Sequence, residues 1–267
     1  MNNIIFAFGL TLIAGLSTGI GSALAFFTKK TNTKFLAVSL GFSAGVMIYV
    51  SMVEIFVKAK DTLVAELGLK AGSWATVAAF FGGMLLIAFI DKVIPNEENP
   101  HEMYKVEDIK ESKVQPDEML MRTGMFTALA VGIHNFPEGL ATFISALQEP
   151  SIAIPITVAI AIHNIPEGIS ISVPVYYATG DRKKAFKYSF LSGLAEPIGA
   201  LVGYLILMPF LSNLVFGIIF GLVAGIMIYI SLDELLPSAQ KYGEHHLSIG
   251  GLIAGMAIMA VSLLLFI

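Results

Sequence analysis

The chain has 267 residues, of which 56% are hydrophobic and only 13% charged, and its mean hydropathy is +0.79. An ordinary soluble domain carries about a quarter charged residues, and one water-soluble core cannot hide this much apolar surface, so a soluble globular enzyme is excluded in favour of a polytopic membrane protein. The formal net charge of −4 offers nothing to a nucleic-acid backbone, and the absence of cysteine removes disulfides, thiolate metal sites and thiol redox chemistry.

A bilayer span needs ~20 apolar residues. Charge clusters divide the chain into apolar runs at roughly 4–27, 35–57, 74–94, 123–147, 152–176, 185–208, 214–236 and 248–267. The expectation is an all-α protein with eight transmembrane helices, the whole of 1–267 forming a single transmembrane domain. The runs are long and continuous, unlike the short alternating strands of a barrel. The first run follows Met1-Asn2-Asn3, which has no basic flank, and it is too long for the core of a cleavable signal.

Loop charge sets the expected orientation. Lys29, Lys30 and Lys34 follow span one, and Lys92, Lys105, Lys110, Lys113 and Arg122 lie between spans three and four. Arg182, Lys183, Lys184 and Lys187 follow span five, and Lys241 follows span seven. The remaining loops hold Lys58, Lys60 and Lys70, a minor contradiction. The bias places the odd-numbered loops in the cytoplasm and both termini outside. The acidic stretch 95–122, with Pro95, Pro100, Pro116 and the single His101, reads as a cytoplasmic linker, with metal capture as the less favoured alternative.

Spans two and seven are copies of one another. Gly41, Ala44, Gly45, Met47, Ile48, Tyr49, Ser51 and Glu54 recur as Gly221, Ala224, Gly225, Met227, Ile228, Tyr229, Ser231 and Glu234. Five spans apart means opposite orientation, hence an inverted repeat of spans 1–3 and 6–8 around central spans 4 and 5, the pattern of secondary transporters. Glu54 is then expected near the outer mouth, and Asp233 and Glu234 near the inner one. They either flank a cation path or are ordinary interfacial carboxylates.

A second duplication lies between them. Span four holds His134-Asn135-Phe136-Pro137-Glu138-Gly139, and span five holds His163-Asn164-Ile165-Pro166-Glu167-Gly168. Glu196, in Ser192-Gly193-Leu194-Ala195-Glu196-Pro197, falls at the same depth in span six. Three ionised, isolated carboxylates at mid-membrane would cost on the order of 8–10 kcal/mol. No lysine or arginine lies in the middle of any span to offset this. Such a cluster is a cation site, a proton relay or both. At about 100° per residue, each glutamate projects between the histidine and asparagine of its own motif, so it could bridge two adjacent metals. Imidazole with carboxylate suits Zn²⁺, Fe²⁺ or Mn²⁺ better than Cu⁺, Ca²⁺ or Mg²⁺. Pro137 and Pro166 read first as helix kinks. Met47 reads as packing or as a soft ligand, and His245 and His246 as a solvated loop pair.

These motifs resemble the ZIP (Zrt/Irt-like) family of divalent metal transporters, in its bacterial ZupT/GufA-like branch, and the resemblance spans the chain. It implies import of Zn²⁺, with Fe²⁺, Mn²⁺, Co²⁺ and Cd²⁺ as further substrates, across the inner (plasma) membrane, with no organic cofactor. It implies one metal held by His134, Glu138, His163 and Glu167, and a second by Asn135, Glu138, Asn164, Glu167 and Glu196. Met47 matches a family methionine in the second span, and Asp233 and Glu234 resemble the family's inner exit residues. His163-Asn164 stands where some members have Gln-Asp, which removes one carboxylate and weakens the second metal's set. The linker lacks the histidine-rich run of many relatives. The expected partners are divalent metal ions and the lipid bilayer, with a homodimer left open. The competing readings are an intramembrane metallohydrolase and a proton-coupled carrier of an organic solute.

Overall fold

The computed structural model describes residues 2–25, 33–93, 116–148, 150–210, 212–242 and 245–265. Among these there is no strand. The helices in chain order are α1 (Asn2–Ala25), α2 (Thr33–Val50), α3 (Phe56–Leu67), α4 (Leu69–Val93), α5 (Pro116–Gln148), α6 (Pro150–Thr179), α7 (Arg182–Gly193), α8 (Ala195–Val202), α9 (Asn213–Ile230), α10 (Leu236–Tyr242) and α11 (His245–Leu264). Three five-residue π-helical segments, Ser51–Ile55, Gly203–Leu207 and Ser231–Leu235, join α2 to α3, extend α8, and join α9 to α10.

Seven stretches among the described residues are long and apolar enough to cross a bilayer: Asn3–Ala23, Ala37–Leu67, Leu69–Lys92, Ala153–Val173, Arg182–Ile206, Asn213–Gln240 and His245–Leu264. α5 has 33 residues but is not among them, because it carries the polar motif and a charged first turn. It begins at Pro116, so 116–122 is helix, and the expected 95–122 loop is shorter at that end. Proline at the first helical position followed by Asp117 and Glu118 is a helix-start pattern. The rest of that loop, His101 included, lies outside the described residues.

The second span also runs past its expected end at 57. Its continuation α3 buries Ala59 and Leu63, one turn apart, and leaves Lys60, Asp61 and Glu66 exposed. The helix therefore continues as an amphipathic element, and the outlying Lys58 and Lys60 sit on it. Gly68, at φ +79°, turns the chain directly into α4. α7 is capped by Asp181, whose carboxylate accepts from the backbone N–H of Lys183 (2.8 Å) and Lys184 (3.2 Å). The apolar stretch Arg182–Ile206 breaks between α7 and α8 at Leu194. Pro197 has no N–H for the carbonyl of Gly193, which frees the chain to turn there.

Packing sorts the helices into two groups. α1 lies on α6, and α5 on α6 and α8; α2 lies on α11, and α4 on α9. The groups meet where α2 touches α6 and α9 touches α5. Glycine sets the closest crossings. A Cβ on Gly45 would stand 2.0 Å from the Leu252 carbonyl oxygen, and one on Gly225 would stand 1.9 Å from that of Phe80. Close approach of this kind is how small residues hold helices together in lipid, where the hydrophobic effect is absent.

Candidate metal site

The two duplicated motifs occupy the middles of α5 and α6, and Glu196 sits in the first turn of α8. His134, Asn135, Glu138, His163, Asn164, Glu167 and Glu196 are all buried, none more than 2% exposed. α5 and α6 run through Pro137 and Pro166 without a break in helix.

The motifs are cross-paired. His134 Nε2 lies 3.3 Å from Glu167 Oε1, and His163 Nε2 lies 3.3 Å from Glu138 Oε2. Each acid faces the imidazole of the other helix, a group that is itself a metal ligand when neutral. Asn164 Nδ2 donates to Glu196 Oε1 and to the Ala14 carbonyl at 2.9 Å. Asn135 Nδ2 donates to the Ser192 carbonyl at 3.4 Å. The asparagine amides thus spend their N–H groups on backbone carbonyls and, for Asn164, on Glu196, and turn their oxygens elsewhere.

Those oxygens carry the chemistry. Asn135 Oδ1, Glu138 Oε1, Asn164 Oδ1, Glu167 Oε2 and Glu196 Oε2 are buried and accept no hydrogen bond. An orphaned buried acceptor costs about 1–3 kcal/mol, more when charged. No lysine or arginine occurs between Thr123 and Asp181 to satisfy them. Among the described residues no three His, Asp or Glu side chains are gathered into a ready cage. The arrangement is two facing His–Glu pairs with acceptor oxygens beside them, a donor set of the kind that borderline divalent ions take.

The outlying residues fall as follows. Met47 is fully buried in the main apolar core, one turn beyond Ser43, whose hydroxyl donates to the His163 carbonyl at 3.3 Å. Glu54 is half-buried on the first π-helical segment, and Asp233 is exposed on the third. Glu234, expected at the inner mouth, lies closer in: its Oε2 is 3.8 Å from His134 Nδ1 and it is 17% exposed. His245 and His246 are exposed at the start of α11, as a solvated pair would be. Two features escaped the sequence reading, namely Ser43 and the backbone acceptors at Ala14 and Ser192. Ser43 had a signal, since the repeat puts Val223 in its place.

Comparison with known proteins fits this geometry. The profile of the family described as ZIP Zinc transporter matches residues 91–263. The chain is 65% identical to the zinc transporter ZupT of Clostridium perfringens, over 100% of this chain and 98% of that protein. It is 68% identical to that of Oceanobacillus iheyensis over 99% of each, and 66% identical to that of Streptococcus mutans over 98% and 97%. The family match covers well over half of the chain and the relatives match it from end to end, so the chain belongs to the ZIP zinc transporter family.

Proposed function

We propose that this chain imports Zn²⁺ into the cytoplasm through a two-metal site at mid-membrane, by alternating access. Membership of a transporter family already sets aside the metallohydrolase reading. The observation that carries the proposal is the set of buried acceptor oxygens on α5, α6 and α8 with no donor, beside two crosswise His–Glu pairs. A visiting dication supplies the missing positive partner.

In this reading one ion binds between His134, Glu138, His163 and Glu167. The second binds toward Asn135, Asn164 and Glu196, with both bridging glutamates shared. Fe²⁺, Mn²⁺, Co²⁺ and Cd²⁺ are further substrates. Met47 stands beside the site, and Glu54, Asp233 and Glu234 line the path on its two sides. Glu234 hands the ion on from His134.

The architecture proposed is eight spans, with α5 supplying the eighth, both termini outside, in the inner (plasma) membrane. An inverted repeat relates the halves. Paired contacts support it. Gly21 meets the Ile165 carbonyl as Gly199 meets that of Phe136, and Gly168 meets the Thr18 carbonyl as Gly139 meets that of Glu196. Gly15 and Gly193 each meet the other's carbonyl oxygen, at 2.4 and 2.3 Å from an added Cβ. The π-helical turn also recurs at Ser51–Ile55 and Ser231–Leu235, each with its glutamate in the fourth place.

The test is ⁶⁵Zn uptake by proteoliposomes containing the purified chain, with competition by the other four metals. Saturable uptake that unlabelled Zn²⁺ displaces is expected. Transport of an organic solute with no ⁶⁵Zn flux would overturn the proposal in favour of the proton-coupled carrier.

A further inference from the structure

A crevice of about 720 Å³ lies between the two helix groups, and none of the metal site's polar side chains line it. Leu86 and Ile90 of α4 form one wall, Leu129 and Ile133 of α5 the second, and Tyr188 and Leu191 of α7 the third. It runs inward as far as Phe136 and Pro137, so its deep end is at the depth of the duplicated motif. Such walls offer water almost nothing to bond, and apolar cavities of this kind stay dry. At this depth the surrounding medium is hydrocarbon. The chemistry that fits is an acyl chain.

The open end adds a second requirement. Tyr188 and Leu191 belong to one stripe of α7, and one turn nearer the helix start that stripe carries Lys184 and Lys187. Both lysines are exposed, as are Arg182 and Lys183. Asp181 is the one acid among them, and its carboxylate already accepts from the backbone of Lys183 and Lys184. The α7 side of the mouth is therefore cationic, with a tyrosine at the boundary between charge and hydrocarbon, the placement typical of a headgroup layer, while Asp91 and Lys92 follow Ile90 on the facing wall.

We propose that this crevice is a binding site for one anionic phospholipid, its acyl chain between α4, α5 and α7 and its phosphate against Lys184 and Lys187. A chain in this position separates helices of the two packing groups, α5 and α7 from α4 and α9. Any movement of one group past the other would deform its site. The proposal is independent of which ion the transporter carries.

The experiment is native mass spectrometry of the purified full chain, titrated with dioleoyl phosphatidylglycerol or dioleoyl phosphatidylcholine. The wild type is expected to retain one phosphatidylglycerol in preference to phosphatidylcholine. A Cβ at Gly132 meets only Ser192 Cα, at 3.9 Å, so Gly132→Leu fills the crevice without striking backbone. It should lose both lipids, and Leu129→Trp serves as a second filler if the first fails to fold. Lys184→Gln with Lys187→Gln should keep a bound lipid but lower the preference for phosphatidylglycerol roughly 25-fold, about fivefold per lysine. Equal retention of the two lipids by the wild type would overturn the proposal. So would undiminished lipid on folded crevice-filling variants, or a lipid-free dimer in which a second copy covers the crevice.

Discussion

Glu196→Gln separates a metal ligand from a structural acid, because the two roles predict opposite effects on stability. Glu196 is fully buried; Oε1 accepts from Asn164 and Oε2 accepts from nothing. Its neighbours Glu138 Oε1, Glu167 Oε2 and both asparagine oxygens also lack donors. An amide keeps one acceptor for Asn164 and brings N–H donors to the side of Oε2, where the acceptors around it are unsatisfied. Relief of one orphaned buried acceptor contributes about 2 kcal/mol. At about 2–4 °C per kcal/mol for a chain of this size, the metal-free variant should melt about 4–8 °C higher than the wild type. With zinc the sign reverses, because the variant has lost a charged ligand and gains less from the ion. The assay is thermal melting followed by far-ultraviolet circular dichroism, with and without Zn²⁺. Thiol dyes have no cysteine to label, and the single tryptophan, Trp74, is 70% exposed and a poor reporter. A metal-free variant less stable than the wild type, or an undiminished zinc shift, would refute the reasoning.

Alanine at Glu138 or Glu167 should abolish ⁶⁵Zn uptake, whereas Asn135→Ala should only reduce or retune it; equal, mild losses from all three would contradict bridging glutamates. Zinc affinity, measured by calorimetry on protein in detergent, should fall as pH falls, because protons compete for the same imidazoles and carboxylates; affinity rising with acidity would contradict that ligand set. Gly21→Ala should depress the melting temperature strongly, since its Cβ would lie 1.9 Å from the Ile165 carbonyl oxygen, while Gly9→Ala, with nothing within 4 Å, should be neutral or slightly stabilising through helix propensity. Comparable melts for the two alanine variants would mean that α1 and α6 do not cross where the structure has them.

Sequence patterns pointed to the helical class and to most of the candidate site because both depend on short-range rules. Apolar runs of span length leave little alternative to helix, and a polar hexapeptide repeated in two such runs must be reconciled with hydrocarbon on both occasions. The bounds of α3 and α5 were less visible. Lys58 and Asp117 look like loop residues until one sees that Ala59 and Leu63 still bury a face, and that Pro116 can open a helix. The position of Glu234 was hidden for a different reason. Its depth follows from counting residues along a regular helix, but Ser231–Leu235 is a π-turn, and the hydrogen-bond shift that makes one leaves no mark in residue order. The break at Leu194 was available in principle from Pro197, though its consequence, α8 starting one residue before Glu196, needed the backbone.

A π-turn accommodates one residue more than the α-helix around it. The stretches through Glu54 and Glu234 thus each hold a surplus residue, stored where the acid projects. Loss of one residue from Ser231–Leu235 would let the helix close up as ordinary α, with α9 and α10 still resting on their present neighbours. The membrane scaffold would absorb such a deletion, and the cost would fall on the aim of Glu234 toward His134.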